Sequence, residues 1–262
     1  MTDWLAVCRA AKDDVSGVLA GMPLRAAREA VLGQGLGGDD TTAIDKAAEN
    51  AIIARFAELD VTIISEEVGR VGDGKTVVVI DPIDGSVNAK RGIPFFSVSI
   101  AIADGETMGD VFFGYVYDFG SGEEWTARRG EGAWLNGAPL GAERPKDTIE
   151  ILCFEATRTE LIARDAPKVV DVAERLRLMG SLALALCHLA AGRVDGVCSL
   201  KGARSVDIAA AQLLVRELGL AIELFDDPRS FGAAELDLEG RSRVAAAGTP
   251  ELCAQIGAAL SA

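Results

Sequence analysis

Residues 77–88, with the sequence VVVIDPIDGSVN, decide how the surrounding chain folds. The first four are β-branched, a composition typical of a buried strand. We predict that the strand stops at Asp81-Pro82, because proline has no N–H for the sheet and favours extended geometry in the residue before it. Asp81 and Asp84 then flank a bend, where two carboxylates converge only around a cation. Gly85-Ser86 follows and offers N–H groups to an anion at a helix start. The stretch has the outline of a metal-dependent phosphate enzyme, although an ordinary polar turn remains open.

The charge balance limits the classes of partner. The 262 residues include 26 Lys and Arg against 40 Asp and Glu, a formal net charge of −14. Such an acidic chain argues against nonspecific binding of nucleic acids or anionic membranes. Five scattered cysteines without a CxxC pair fit reduced thiols. With no signal peptide and no apolar run of about 20 residues, we expect a cytoplasmic protein with no membrane partner.

Apolar spacing predicts two different halves. In residues 1–147 we expect helices at 3–20, 23–32 and 43–59 and an acidic loop at 33–42. A strand at 61–65 and a series of short strands between 77 and 135 suggest an antiparallel meander. In residues 148–262, strands alternate with helices, as in α/β units. The predicted elements of this half are strands at 149–154, 176–179, 194–200, 221–224 and 244–247 and helices at 166–176, 181–191, 206–218 and 250–261.

One motif points to a different enzyme class. Residues 69–76, GRVGDGKT, match the GxxxxGK[ST] pattern of nucleotide-binding phosphate loops. A phosphate loop must open a helix, so that the helix N-terminus faces the phosphates. Here a β-branched run follows, and we therefore predict a hairpin turn.

Acidic residues recur at the ends of the predicted elements. Three motifs follow one another in the chain: SEE at 65–67, DPIDGS at 81–86 and VDIAA at 206–210. Their order, together with GEGAWLNG at 130–137, resembles the inositol monophosphatase family of lithium-sensitive, magnesium-dependent phosphatases. The resemblance runs from about residue 40 to residue 250.

The resemblance implies an α/β fold of layered α+β type, the five-layered αβαβα sandwich of sugar phosphatases, usually a homodimer. It also implies hydrolysis of a phosphate monoester by water activated at about two or three Mg²⁺ ions. The implied metal ligands are Glu66, Asp81, the carbonyl of Ile83, Asp84 and Asp207. Asp45 and Ser86 would orient and deprotonate the water, with Glu67 behind them. The N–H groups of Gly85 and Ser86 would hold the phosphoryl oxygens.

Substrate choice depends on a further set of residues. Animal members place a Glu seven residues before the last metal-binding Asp, and this chain has Leu200 there, beside Lys201 and Arg204. Arg177 precedes the helix start at 180–182, close to the expected pocket. The cations suggest a second anionic group on the substrate, as in archaeal-type members that act on inositol monophosphate and fructose 1,6-bisphosphate, although each could be a solvated surface charge. The implied substrate-binding residues are Asp84, Gly85, Ser86, Arg177, Leu182, Leu200, Lys201 and Arg204.

Two other functions stay open at this point. A 3′-phosphoadenosine-nucleotide phosphatase would share the metal motif, and a regulatory binding protein could be built on the same fold. The single histidine, His188, lies in an apolar helix without a Ser or Cys partner in evidence, so we predict packing rather than triad catalysis.

Overall fold

The computed structural model describes residues 2–35, 40–155 and 158–262. The α-helices of this part of the chain are α1 (Trp4–Gly21), α2 (Arg25–Arg28), α3 (Ala43–Phe56), α4 (Ser86–Arg91), α5 (Thr159–Asp165), α6 (Leu182–Ala190), α7 (Ser205–Ile208), α8 (Ala211–Glu217) and α9 (Pro250–Ser261). Its strands are β1 (Val31–Gln34), β2 (Asp40–Thr42), β3 (Val61–Ser65), β4 (Gly69–Val71), β5 (Thr76–Asp84), β6 (Ser97–Ala103), β7 (Val111–Asp118), β8 (Glu124–Arg128), β9 (Gly132–Leu135), β10 (Ala138–Pro139), β11 (Ile151–Glu155), β12 (Arg175–Arg177), β13 (Gly196–Ser199), β14 (Ala221–Leu224) and β15 (Val244–Ala247).

Within the described residues, β5 lies inside an eight-stranded sheet of order β10-β9-β8-β7-β6-β5-β3-β4. It runs parallel to β3 and antiparallel to β6. Strands β6 to β9 form the predicted antiparallel meander. The β-branched residues of β5 are buried, because helices cover both faces of this sheet.

A second sheet follows in the chain, with the order β12-β11-β13-β15-β14 in the part that the structure describes. Strand β11 is parallel to β12 and β13, whereas β15 is antiparallel to β13 and β14. The two sheets fall on either side of the predicted boundary between residues 147 and 148, and the division into two domains stays a prediction.

Three apolar cores lie between five layers, and the middle core fills the space on both sides of the central helices. Helices α1 and α3 pack on the outer face of the first sheet, and α6 and α8 lie between the two sheets. Helices α5 and α9 cover the far face of the second sheet. The middle core contains the fully buried ring of Trp125 together with Leu186 and Leu214. The predicted αβαβα sandwich is therefore confirmed.

Strand β5 continues beyond the predicted stop at Asp81-Pro82 and ends at Asp84. Its register against β6 shifts between Asp81 and Asp84. An irregular segment of this kind tolerates a residue without an N–H, so Pro82 does not end the strand. The bend moves both carboxylates to the same end of the sheet.

The phosphate-loop pattern at residues 69–76 gives no helix, since Thr76 begins β5. The predicted hairpin is nevertheless wrong, because β4 and β5 do not pair. They lie on opposite sides of β3, so the connecting residues pass across the end of that strand.

The predicted helix at 23–32 is reduced to α2, and the chain enters β1 at Val31. Leu24 and Val31 are exposed, so their helical spacing has no core to face. Part of the predicted loop at 33–42 is strand: β1 and β2 pair antiparallel, and residues 36–39 lie outside the described part of the chain.

Two helices of the second half also differ from the prediction. Residues 166–176 contain a 3₁₀ turn (Ala166–Val169) and the start of β12, because the N–H groups of Glu174 and Arg175 donate to carbonyls of residues 149 and 150 at the sheet edge. These sheet contacts override the local helical pattern. The predicted strand at 176–179 is β12, which begins one residue earlier and ends two residues earlier. The helix predicted at 206–218 is divided into α7 and α8.

Candidate active site

A cleft of about 550 Å³ opens where β3 and β5 of the first sheet end, opposite the starts of α6 and α7. All of the predicted site residues except Arg177 and Leu200 line it. The predicted residues at the cleft are Asp45, Glu66, Glu67, Asp81, Ile83, Asp84, Gly85, Ser86, Leu182, Lys201, Arg204 and Asp207.

Asp81 is the most deeply buried carboxylate of the cleft, at 3% exposure. One of its oxygens, Oδ1, accepts the N–H of Ile83 at 3.1 Å. Burial, together with repulsion from Glu66, Asp84 and Asp207, holds the pKa of Asp81 well above its ordinary value. A cation close to this carboxylate would favour its ionised form.

Asp84 is held by the second half of the chain. The hydroxyl of Ser181 donates to Oδ2 at 2.5 Å, and the N–H of Ala183 donates to the same oxygen at 2.8 Å. Burial raises the pKa of Asp84 to about 6, and the bond from Ser181 opposes that rise. The start of α6 therefore fixes a side chain that belongs to the end of β5.

Gly85 and Ser86 connect that strand to α4. Gly85 has φ +91°, and a Cβ there would lie 3.1 Å from the carbonyl oxygens of Gly180 and Phe95, so only glycine fits. The Ser86 hydroxyl donates to the carbonyl of Ile83 at 2.9 Å. Because its proton is used in this bond, the hydroxyl oxygen can serve the cleft as an acceptor.

Arg204 lies among the acidic side chains instead of on the surface. Its Nη1 is 2.6 Å from Oε1 of Glu66, and its Nη2 donates to Oδ1 of Asp207 at 3.0 Å. The contact with Glu66 is an ion pair whose N–H groups are not aligned as in a hydrogen bond. Burial lowers the pKa of Arg204, but Asp207 and Glu66 outweigh that effect and the pKa is raised. Burial raises the pKa of Glu66 to about 7, and Arg204 limits that rise.

Asp45 occupies the first turn of α3, at the opposite wall. Its Oδ2 accepts the hydroxyl of Thr42 at 2.5 Å and lies 3.2 Å from Nζ of Lys90. Its Oδ1 is buried and has no hydrogen-bond partner among the described residues. A buried acceptor without a partner is costly, so this oxygen is suited to take a proton from a molecule in the cleft.

Glu67 lies behind Asp45 and accepts the hydroxyl of Thr41. Burial raises the pKa of Glu67, and the Thr41 bond opposes that rise. The turn itself is fixed by the fully buried Glu49, whose Oε1 accepts the N–H groups of Glu67 and Val68 at 3.1 and 2.9 Å. Glu49 was not singled out in the sequence, because its burial on α3 becomes visible only in the structure.

In the sequence we missed several polar residues that line the cleft or, like Ser181, hold one of its side chains. Ser181 stands as a helix N-cap directly before α6, and its Oγ also accepts the N–H of Leu184. Glu155 ends β11 and accepts the N–H groups of Met179 and Gly180 at 3.3 and 2.8 Å; burial raises its pKa to about 7. A carboxylate at the end of a predicted strand could have indicated Glu155. Ser199 and Lys90 also line the cleft.

Arg177 and Leu200 lie outside the cleft. Arg177 is exposed on β12, and its Nη1 donates to the neighbouring carbonyl of Leu176. Leu200 is buried in the core beneath α9. Side chains in extended chain alternate between faces, so Ser199 and Lys201 reach the cleft while Leu200 points away. Lys201 is exposed, and Leu182 lines the wall at the start of α6.

The donor chemistry of the cleft fits a hard divalent cation. Carboxylate and carbonyl oxygens are the ligands that Mg²⁺ prefers, and the repulsion around Asp81 and the unpartnered Oδ1 of Asp45 both favour added positive charge. As arranged here, however, no three His, Cys, Asp or Glu side chains of the described residues are gathered closely enough to enclose one ion.

Two other predictions concern residues away from the chemistry. His188 stacks on Phe95 with ring centroids 5.7 Å apart and meets Trp125 edge-on, so it packs as predicted.

All five cysteines are buried free thiols. In the described ranges, none of the helices combines the length and apolar character needed to cross a bilayer.

Comparison with known proteins places the chain among phosphatases. The model of the inositol monophosphatase family matches residues 8–261. The fructose-1,6-bisphosphatase/inositol-1-monophosphatase of Archaeoglobus fulgidus is 34% identical over 249 residues, 94% of this chain and 93% of that protein. The Nus factor SuhB of Pasteurella multocida is 42% identical over 204 residues, 74% of each chain. A crystal structure of an inositol monophosphatase–fructose 1,6-bisphosphatase matches 98% of this chain and 100% of its own, with a TM-score of 0.86 and 26% identity.

Proposed function

The chain belongs to the inositol monophosphatase family, and we propose that it is a Mg²⁺-dependent phosphatase of inositol monophosphate, fructose 1,6-bisphosphate or both. The observation that carries this proposal is the presence of Glu66, Asp81, Asp84 and Asp207 at one cleft. They come from distant points of the chain and repel one another, an arrangement that a structural role alone would not require. The archaeal relative named for both activities supports the choice of substrates.

The residues that would hold about two or three Mg²⁺ ions are Glu66, Asp81, the carbonyl of Ile83, Asp84 and Asp207. When bound, Mg²⁺ supplies charge compensation for the phosphoryl and leaving oxygens and increases the acidity of water. The chain's own contribution is to fix this donor set. Ser181 orients Asp84, and the N–H of Ile83 orients Asp81.

Asp45 and Ser86 would hold the attacking water. The unpartnered Oδ1 of Asp45 would accept a hydrogen bond from the water, while Thr42 and Lys90 keep Oδ2 in place. The Ser86 oxygen would accept a hydrogen bond from the other water hydrogen, because its own hydrogen is used on Ile83. With both protons engaged, a lone pair of the water is free for phosphorus, and Asp45 acts as the general base.

Substrate binding would use both walls of the cleft. We assign the phosphoryl oxygens to the N–H groups of Gly85 and Ser86. The cation for a second phosphate is Lys201, an exposed lysine on the cleft wall. Arg177 does not line the cleft, so Arg177→Ala serves as a matched control for Lys201→Ala: we expect only Lys201→Ala to weaken turnover of the bisphosphate selectively.

The test is phosphate release from a panel of inositol, fructose and 3′-phosphoadenosine phosphates, with Mg²⁺ and with a chelator. We expect Mg²⁺-dependent release from inositol monophosphate or fructose 1,6-bisphosphate. Release confined to the adenosine nucleotides would favour the nucleotide phosphatase. Mg²⁺-independent release, or release from none of the esters, would refute the proposal. Release from none of the esters would favour a regulatory protein, an alternative that the similarity to a Nus factor supports.

The family also supports a homodimer acting in the cytoplasm, which we propose for this chain. Light scattering coupled to gel filtration tests this proposal, and a monomer at micromolar concentration would contradict it.

A further inference from the structure

Arg204 occupies the place where a positive charge is needed for the acidic cleft. The side chain is 6% exposed, and its guanidinium lies between Glu66, which follows β3, and Asp207, which belongs to α7. Both carboxylates are in the proposed metal-ligand set. A buried guanidinium between two such groups compensates charge that would otherwise be unpaired.

We propose that Arg204 is an internal counter-ion that holds Glu66 and Asp207 in the metal-free protein and must leave at least one of them before Mg²⁺ binds. This inference rests on the proposed function and adds a regulatory step to the same site. It explains why the described carboxylates do not form a ready metal cage. Mg²⁺ needs oxygens at about 2.0–2.1 Å in octahedral geometry, which leaves no room for a guanidinium on the same oxygens.

The contacts of Arg204 suit such an exchange. Its Nη1 approaches Glu66 without the alignment of a hydrogen bond, so this pair lacks the two parallel bonds that make many Arg–carboxylate pairs strong. The charge supplied is also insufficient. One guanidinium contacts Glu66 and Asp207, whereas four carboxylates, Glu66, Asp81, Asp84 and Asp207, line the same cleft. A divalent ion compensates more of this charge than Arg204 does.

The backbone of Arg204 would stay in place during the exchange. Its N–H donates to Oδ2 of Asp207 at 2.7 Å, and the preceding residue, Ala203, pairs with Ser242 at 2.7 and 3.3 Å. The motion is therefore limited to the side chain. A released guanidinium remains at the cleft wall beside Lys201, where it meets the anionic substrate.

Removing the counter-ion should tighten metal binding. If the paired state dominates the metal-free protein, the apparent dissociation constant is the intrinsic one divided by the small competent fraction. We expect Arg204→Ala to bind Mg²⁺ about fivefold to tenfold more tightly in calorimetry. Lys201→Ala is the matched control, because it removes the same charge from the same wall without touching Glu66 or Asp207. We expect its affinity to stay within about twofold of wild type, since its charge is exposed and screened.

Thermal unfolding with and without Mg²⁺ gives a second measurement. We expect Arg204→Ala to lower the melting temperature of the metal-free protein and to recover most of that loss in saturating Mg²⁺. Arg204→Lys keeps the charge but cannot contact both carboxylates equally, so we expect intermediate values for both measurements. It keeps the test valid if Arg204→Ala does not fold.

Unchanged or weaker Mg²⁺ affinity in both Arg204 variants, or a thermal loss that persists in Mg²⁺, would overturn the counter-ion proposal. The proposed function is judged separately, by phosphate release from the wild-type protein. A wild type that binds Mg²⁺ and releases phosphate, with Arg204 variants of unchanged affinity, refutes only the counter-ion. A wild type that binds no Mg²⁺ refutes both.

Discussion

Ser181→Ala should destabilise the protein more than the loss of an ordinary helix cap does. The Ser181 hydroxyl makes two contacts: it donates to Oδ2 of Asp84 at 2.5 Å and accepts the N–H of Leu184 at 3.2 Å. Thr249 provides the matched comparison. It caps α9 in the same way, by accepting the N–H of Leu252 at 3.3 Å, and lies outside the cleft.

The expected magnitudes follow from these contacts. Replacing a Ser or Thr cap by Ala costs about 1 kcal/mol, and this loss is common to both variants. A hydrogen bond to a charged group contributes roughly 1.5–3 kcal/mol more. Ser181→Ala should therefore lower the free energy of unfolding by about 2.5–4 kcal/mol and Thr249→Ala by about 1 kcal/mol. The difference between them measures the bond to Asp84.

Urea unfolding at about pH 8 in a chelator, followed by tryptophan fluorescence, measures both losses. The difference should shrink at about pH 5, because Asp84 has a pKa of about 6 and is protonated there, which removes the charge from the bond. Equal losses in the two variants at pH 8 would refute the reasoning. So would a difference that does not change with pH.

Asp81→Asn should abolish Mg²⁺-dependent phosphate release and yet raise the free energy of unfolding of the metal-free protein, because burial and the neighbouring carboxylates make ionisation of Asp81 unfavourable and asparagine does not ionise. Glu155→Gln should flatten the pH dependence of stability between about pH 5 and 8. Burial raises the pKa of Glu155 to about 7 in the folded state, so its contribution is present below the unfolded pKa and is lost as pH rises through about 7. Lys90→Met should lower phosphate release by roughly tenfold to a hundredfold by loosening Asp45, whereas Lys75→Met, at an exposed lysine outside the cleft, should not.

Each of these expectations has a contrary outcome. If Asp81→Asn lowers the free energy of unfolding in a chelator, repulsion from the neighbouring carboxylates does not determine the contribution of Asp81 to stability. If the stability of Glu155→Gln changes with pH in the same way as that of wild type, other groups cause this pH dependence. Equal phosphate release by the Lys90 and Lys75 variants would show that Lys90 does not position Asp45 for catalysis.

The sequence predicts best where the pattern is local. The β-branched residues of β5, the strand meander and the acidic residues at element ends all appear in the structure because strand propensity and turn signals act over a few residues. The predicted strand end at Asp81-Pro82 was wrong because the pairing of the strands shifts its register there. This shift depends on the neighbouring strand β6.

Other features depend on which residues lie close together in the folded protein, and residue spacing in the sequence does not contain that information. Leu200 was assigned to the cleft by counting back from Asp207, but a one-residue difference in extended chain reverses the face that a side chain occupies. Arg204 was predicted to bind a second anionic group of the substrate, because it is a cation near a phosphate site. Its position between Glu66 and Asp207 requires the junction of two sheets, and no local pattern contains that information.

The acidic cleft also joins the two parts of the molecule. Glu66 follows β3 and Asp84 ends β5 in the eight-stranded sheet, and their partners Arg204 and Ser181 precede helices of the second part. The contacts that compensate the charge of the cleft therefore also hold the two parts together. A cation that binds only this folded arrangement adds RT ln(1 + [L]/Kd) to stability, about 2.7 kcal/mol at a hundredfold excess over Kd. Mg²⁺ should therefore strengthen the junction as well as the chemistry, and the raised pKa values of Asp81 and Glu66 indicate the cost that it relieves.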